Sequence, residues 1–115
     1  MKLYGIPNCG TVKKARAWLE QRGIACDFHD FKKQGVNETM LAGWFKQVGW
    51  QQLLKKTGPT WGQLPDVAKA SIKDDASALA LMLEKPNVIR RPVLEQDDKV
   101  LATGFSEADY ERLFK

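Results

Sequence analysis

The chain has 115 residues, 43% of them apolar and 28% charged, with a formal net charge of +4. That size and balance suit one compact globular domain, and no run of about 18 apolar residues is present to cross a membrane as a helix. The basic excess is scattered in the pairs Lys13-Lys14, Lys32-Lys33, Lys55-Lys56 and Arg90-Arg91, a pattern that speaks against a continuous nucleic-acid stripe and for a small anionic ligand where pairs converge.

Met1–Ile6 reads as a strand that is too short and too patterned for a signal peptide, so a cytoplasmic protein with reduced cysteines is expected. After the turn Pro7-Asn8, a helix runs from Cys9 to about Arg22, with Val12, Ala15 and Leu19 on one face and Gly23 as its stop. Ile24–Phe31 alternates loosely and predicts a second strand holding Cys26, and a strand–helix–strand order of this length implies a parallel pair with a right-handed crossover. Lys32–Val36 reads as a polar loop. Asn37 then caps a strong helix whose stripe is Met40, Leu41, Trp44, Phe45 and Val48, ended by Gly49.

Trp50, Leu53 and Leu54 are expected to pack back on that helix, and Gly58-Pro59 to break the chain. Pro65 opens a short helical piece through Ile72. Asp74 or Asp75 caps another helix, carrying Leu79, Ala80, Met82 and Leu83, which Pro86 closes. Val93–Glu95 and Lys99–Ala102 form a hairpin around Asp97-Asp98. A last helix follows, with Ser106 and Asp109 as a capping box and Phe105 and Tyr110 as its staple. The order βαβ, a helical insertion over roughly 37–86, ββ and α predicts a single α/β domain with a thioredoxin-like fold: a four-stranded mixed sheet with flanking helices.

In that layout Cys9 ends the first strand and begins the first helix. Unpaired N–H groups and the positive end of the helix dipole converge there, favouring a thiolate. Gly10 and Thr11 offer backbone N–H groups, Thr11 a hydroxyl, and Lys13 a positive charge one turn on. The same residues would also make a plain turn with an inert cap. Cys26 reads as a small buried apolar residue. His29 falls on the second strand as a packing or surface residue, with no second ligand spaced for a metal, so no metal is expected. Trp18, Trp44, Trp50 and Trp61 read as core. Arg90-Arg91 reads either as a solvated pair or as a binding pair.

Pro7-Asn8-Cys9-Gly10-Thr11, Leu53-Leu54-Lys55-Lys56, Arg90-Arg91-Pro92-Val93 and the closing Gly104-Phe105-Ser106-Glu107, taken in order, resemble the arsenate reductase (ArsC) and Spx family. The likeness is to its small YffB-like branch of glutathione-dependent thiol reductases. The resemblance implies that Cys9 is the nucleophile, that Arg91 binds the anionic substrate or glutathione, and that the bond before Pro92 is cis. Asn8, Gly10, Thr11, Lys13 and Lys55 would complete the substrate site. The resembling arsenate reductases carry two further arginines, where this chain has Lys55 and, near the second, Gly104; lysine keeps the charge but loses the bidentate fork. Gly5 stands where those enzymes have a histidine. Many Spx regulators carry a Cys-x-x-Cys switch, and Val12 takes the place of its second cysteine.

The expected function is therefore that of a monomeric, cytoplasmic glutathione-dependent thiol–disulfide oxidoreductase with one active cysteine, resolved by external glutathione. No direct nucleic-acid or membrane partner is expected. The alternative is an Spx-like regulator that binds the RNA polymerase α subunit without a local switch.

Overall fold

The computed structural model describes residues 1–114. Its chain gathers into two compact units, one of residues 1–35 with the segment from Arg91 on, the other of Val36–Arg90. The first unit opens with β1 (Lys2–Gly5), α1 (Gly10–Gln21), β2 (Asp27–Asp30) and a helical turn, α2 (Phe31–Gln34). The second unit holds α3 (Glu38–Val48), α4 (Trp50–Leu53), α5 (Pro59–Gly62), α6 (Asp66–Ala70), α7 (Asp75–Glu84) and a 3₁₀ turn at Pro86–Val88. The chain then completes the first unit with β3 (Val93–Gln96), β4 (Lys99–Thr103) and α8 (Glu107–Leu113).

Strand order is β2–β1–β3–β4, with β1 parallel to β2 and the other pairs antiparallel. Alternation sorts the two faces of this sheet. Leu3 pairs with Leu94, and both pack with Ala15, Trp18 and Leu19 of α1 and Tyr110 of α8 in one buried cluster. The rings of Trp18 and Tyr110 meet edge to face at 5.5 Å, and Phe105 meets Tyr110 at 4.8 Å, which is the expected staple at the start of α8. Tyr4 points to the other face, where its hydroxyl donates to Glu95 Oε1 at 2.8 Å and its ring lies 4.8 Å from that of His29. The parallel pair joined through α1, the following hairpin and the closing helix make this a thioredoxin-like α/β fold.

Several boundaries differ from the sequence reading. The second strand is confined to Asp27–Asp30, so Cys26 precedes it and Phe31 begins α2. Asp30 causes the switch: its carboxylate accepts from the Lys32 N–H at 2.9 Å, and its own N–H donates to Gln34 Oε1 at 3.0 Å. The expected loop 32–36 is thus partly a capped helical turn. Ser106 Oγ accepts from the Asp109 N–H at 3.1 Å, half of the predicted capping box.

In the helical unit Asn37 caps α3 as expected, accepting from the Met40 N–H at 2.8 Å. Leu41, Trp44 and Phe45 are its buried residues, whereas Met40 and Val48 are half-buried. Pro59 does not merely break the chain but opens α5 at its first turn, where a missing N–H costs nothing. Asp74 caps α7 in a box with Ser77. The buried face of α7 is Ala78, Leu81 and Met82, while Ala80 and Leu83 are exposed. Ala78, Leu81 and Met82 are spaced three and four residues apart and so share one side of the helix. Trp18 and Trp44 are core; Trp50 and Trp61 are half-buried, with Lys56 Nζ 5.6 Å from the Trp61 ring. Leu54 and Ile89 form an isolated antiparallel bridge in a segment that carried no strand signal. Among the described residues, no helix is long and apolar enough to cross a membrane.

Candidate active site

The thiol of Cys9 owes its surroundings to the junction between β1 and α1. The turn Ile6–Cys9 closes with the Cys9 N–H donating to the Ile6 carbonyl at 3.3 Å, and the Cys9 carbonyl accepts from the Lys13 N–H at 3.0 Å. Cys9 is therefore the N-cap residue of α1, with extended backbone (φ −86°, ψ 127°). From an N-cap, a side chain reaches the N–H groups two and three residues on, which here belong to Thr11 and Val12. The thiol makes no cap hydrogen bond of ordinary geometry. Sulfur is a weak, diffuse acceptor, and the two amides act on it as oriented donors rather than as a tight cap.

Arg91 supplies the third contact. Its guanidinium favours the Cys9 thiolate both as a side-chain donor and, more weakly, through its charge. Burial pushes the Cys9 thiol up and is the largest single influence. The Val12 N–H, the Arg91 hydrogen bond, the Thr11 N–H and the Arg91 charge together outweigh it, so the thiol ionises below its ordinary range. Cys9 is half-buried.

The Arg91–Pro92 bond is cis, as the resemblance implies. Pro92 is fully buried, and its carbonyl accepts from the Gly104 N–H at 2.8 Å. Gly104 has φ +75°, in the left-handed region where a side chain is strained.

The structure thus brings Cys9, Thr11, Val12 and Arg91 together in the first unit. Lys13 is exposed, and the amides that favour the thiolate belong to Val12 and Thr11 rather than to Gly10. For Gly10 the reason is geometric, because an N-cap side chain does not reach the first helical amide. Asn8 is exposed at the turn. Lys55 belongs to the helical unit, where its N–H donates to the Val88 carbonyl at 2.7 Å. Val12 was read as an apolar face residue standing where Spx regulators have a second cysteine, although the N-cap rule already pointed to its amide.

Cys26 is half-buried rather than core, and its thiol is pushed up chiefly by burial. His29 is held by the Tyr4 and Phe31 rings and by the Gly35 carbonyl, 2.9 Å from Nε2.

A sequence model of the ArsC family matches residues 4–113. The chain belongs to the ArsC family. A solved structure called YffB is 40% identical, covers 96% of each chain and superposes with a TM-score of 0.89. An arsenate reductase (ArsC) related protein from Brucella melitensis is 47% identical over 99% of this chain and 93% of its own, with a TM-score of 0.80. The global transcriptional regulator Spx of Streptococcus agalactiae is 29% identical over 108 residues, 91% of this chain and 76% of the regulator. This ArsC-family chain is thus similar both to arsenate reductase-related proteins and to transcriptional regulators.

Proposed function

We propose that the protein is a thiol–disulfide oxidoreductase with Cys9 as its single nucleophile and glutathione as its co-substrate. The observation that carries this reading is the convergence of two helix amides and the Arg91 guanidinium on a half-buried thiol that ionises readily. The Cys9 thiolate attacks the glutathione sulfur of a mixed disulfide, forming a Cys9–glutathione disulfide and releasing the substrate thiolate, which takes a proton from water. A second glutathione, as thiolate, attacks the glutathione sulfur of that adduct. Glutathione disulfide leaves, the Cys9 thiolate is restored, and the two electrons come from glutathione.

Cys9 works alone because Val12 occupies the place of a second cysteine one turn on, and the raised thiol of Cys26 is a poor resolving group. Arg91 holds an anionic part of the substrate, while Asn8, Gly10, Thr11 and Lys13 line the approach. The protein acts as a cytoplasmic monomer without a metal.

Arsenate is a weaker substrate in this reading. Each lost charge-assisted contact costs about 1.5–3 kcal/mol, so Lys55 and Gly104 in place of two arginines lower arsenate turnover by roughly a hundred-fold or more. The likeness to Spx favours a second reading, a regulator that binds the RNA polymerase α subunit. One preparation assayed for glutathione mixed-disulfide exchange, arsenate reduction and α-subunit binding separates these. Brisk exchange with slow arsenate turnover is expected. Absence of both reactions, with α-subunit binding that survives Cys9→Ser, would hand the case to the regulator.

A further inference from the structure

The last residue of β1, Gly5, is not in the left-handed backbone region, so its glycine is not explained by a turn. It is explained by space. A Cβ at Gly5 would stand 2.7 Å from Val12 Cγ2, 3.6 Å from Cγ1 and 3.7 Å from Cβ. The first distance is far inside van der Waals contact, and Val12 cannot swing away. It is fully buried, and a β-branched side chain in a helix is held to essentially one χ1 rotamer. Val12 therefore sits with its methyls against the bare backbone of β1, which lets the first turn of α1 approach the strand.

The backbone N–H of this same Val12 is the largest of the influences that favour the Cys9 thiolate, and that of Thr11 belongs to the same turn. Moving the Val12 side chain outward moves its amide too, because both belong to one rigid helical turn. We infer that Gly5 is a positioning residue for Cys9: the space left by its missing side chain seats Val12, and the seated turn aims the Val12 and Thr11 N–H groups at the sulfur. Gly5 touches neither the thiol nor a substrate. The inference rests on the proposed thiol chemistry only for its consequence on rate, since the positioning itself is a property of the free enzyme.

The fit is one of matched volumes. Gly5→Ala overfills the contact and Val12→Ala underfills it. In the double variant the alanine at position 5 enters the space that the valine methyls vacate. The test titrates Cys9 by thiolate absorbance and by pH-dependent iodoacetamide alkylation, in a Cys26→Ser background, with circular dichroism as the check on folding. Gly5→Ala is expected to lower the thiolate fraction near neutral pH about three- to ten-fold, and Val12→Ala by a smaller factor. The double variant should lie closer to the parent than Gly5→Ala does. Folded Gly5→Ala protein with the parent's titration would overturn the inference, as would a double variant whose loss is the product of the two single losses. Where Gly5→Ala does not fold, the comparison passes to the other two: a double variant that ionises more readily than Val12→Ala supports the seat, and one that does not refutes it. Glutathione mixed-disulfide exchange, measured alongside, keeps the two claims apart. A parent with a readily ionised Cys9 and no exchange defeats the proposed function and leaves the positioning intact; normal exchange with a titration indifferent to position 5 does the reverse.

Discussion

Cys9 and Cys26 are both half-buried free thiols of the same unit, yet their surroundings push them in opposite directions. Cys26 lies in the connection between α1 and β2, with its Sγ 3.6 Å from the Asp27 carbonyl. Burial raises it most; the nearby positive chain terminus and Arg16 pull it down, and Asp27 pushes it up again, with a net rise. Cys9 suffers burial too, but two helix amides and a guanidinium reverse the sign. Exposure alone therefore does not decide which way a half-buried thiol is pushed. The direction of the surrounding dipoles does.

The largest effect should come from exchanging the thiols for hydroxyls. Cys9→Ser is expected to abolish glutathione exchange, by about a thousand-fold or more, because a serine at this site has no base to activate it. Cys26→Ser should stay within about two-fold of the parent. Comparable losses in steady-state assays of both variants would erase the distinction between the two sites.

Arg91 comes next. Arg91→Ala removes a charge-assisted hydrogen bond worth about 1.5–3 kcal/mol and should reduce exchange about ten-fold or more, with Cys9 ionising at higher pH. Arg91→Lys should recover only part of this, since the planar fork is lost. An unchanged pH–rate profile in folded Arg91→Ala would remove the guanidinium from the account of Cys9.

Alkylation of the parent at neutral pH, followed by peptide mapping, should label Cys9 several-fold faster than Cys26, as thiolate fraction dictates. Lys13→Ala should leave that ratio within about two-fold, because the ammonium is exposed and solvent and salt screen it. A large fall in Cys9 labelling on this change would restore the role the sequence suggested for Lys13.

The smallest effect is on stability, and its sign differs at the two sites. Cys9 is depressed on folding, so it contributes stability above the unfolded thiol value of about 8.5, lost as pH falls through the folded value. Cys26 is raised, so its contribution is present below about 8.5 and lost as pH rises through the folded value. Between neutral pH and pH ~9, Cys9→Ser should steepen the decline of the melting temperature and Cys26→Ser should flatten it. Parallel melting curves for the two variants would show that the thiols experience the same surroundings.

Local chemistry made much of this legible in advance. Hydrophobic period and punctuation placed α1, α3, the hairpin and α8, because a cap, an apolar stripe and a glycine stop act within one element. The same locality put Cys9 at a helix start, and the N-cap rule points to Thr11 and Val12 rather than to Gly10 or Lys13. Tertiary structure decided the remainder. Asp30 ended β2 by turning its carboxylate to Lys32; Leu54 found Ile89 across 35 residues of chain. Arg91 is 82 positions from Cys9 and reaches its sulfur only because β3 lies beside β1 in the sheet. The meaning of Gly5 was hidden for the same reason. A glycine in a strand is uninformative until the packing shows which side chain, here Val12, fills the space it leaves.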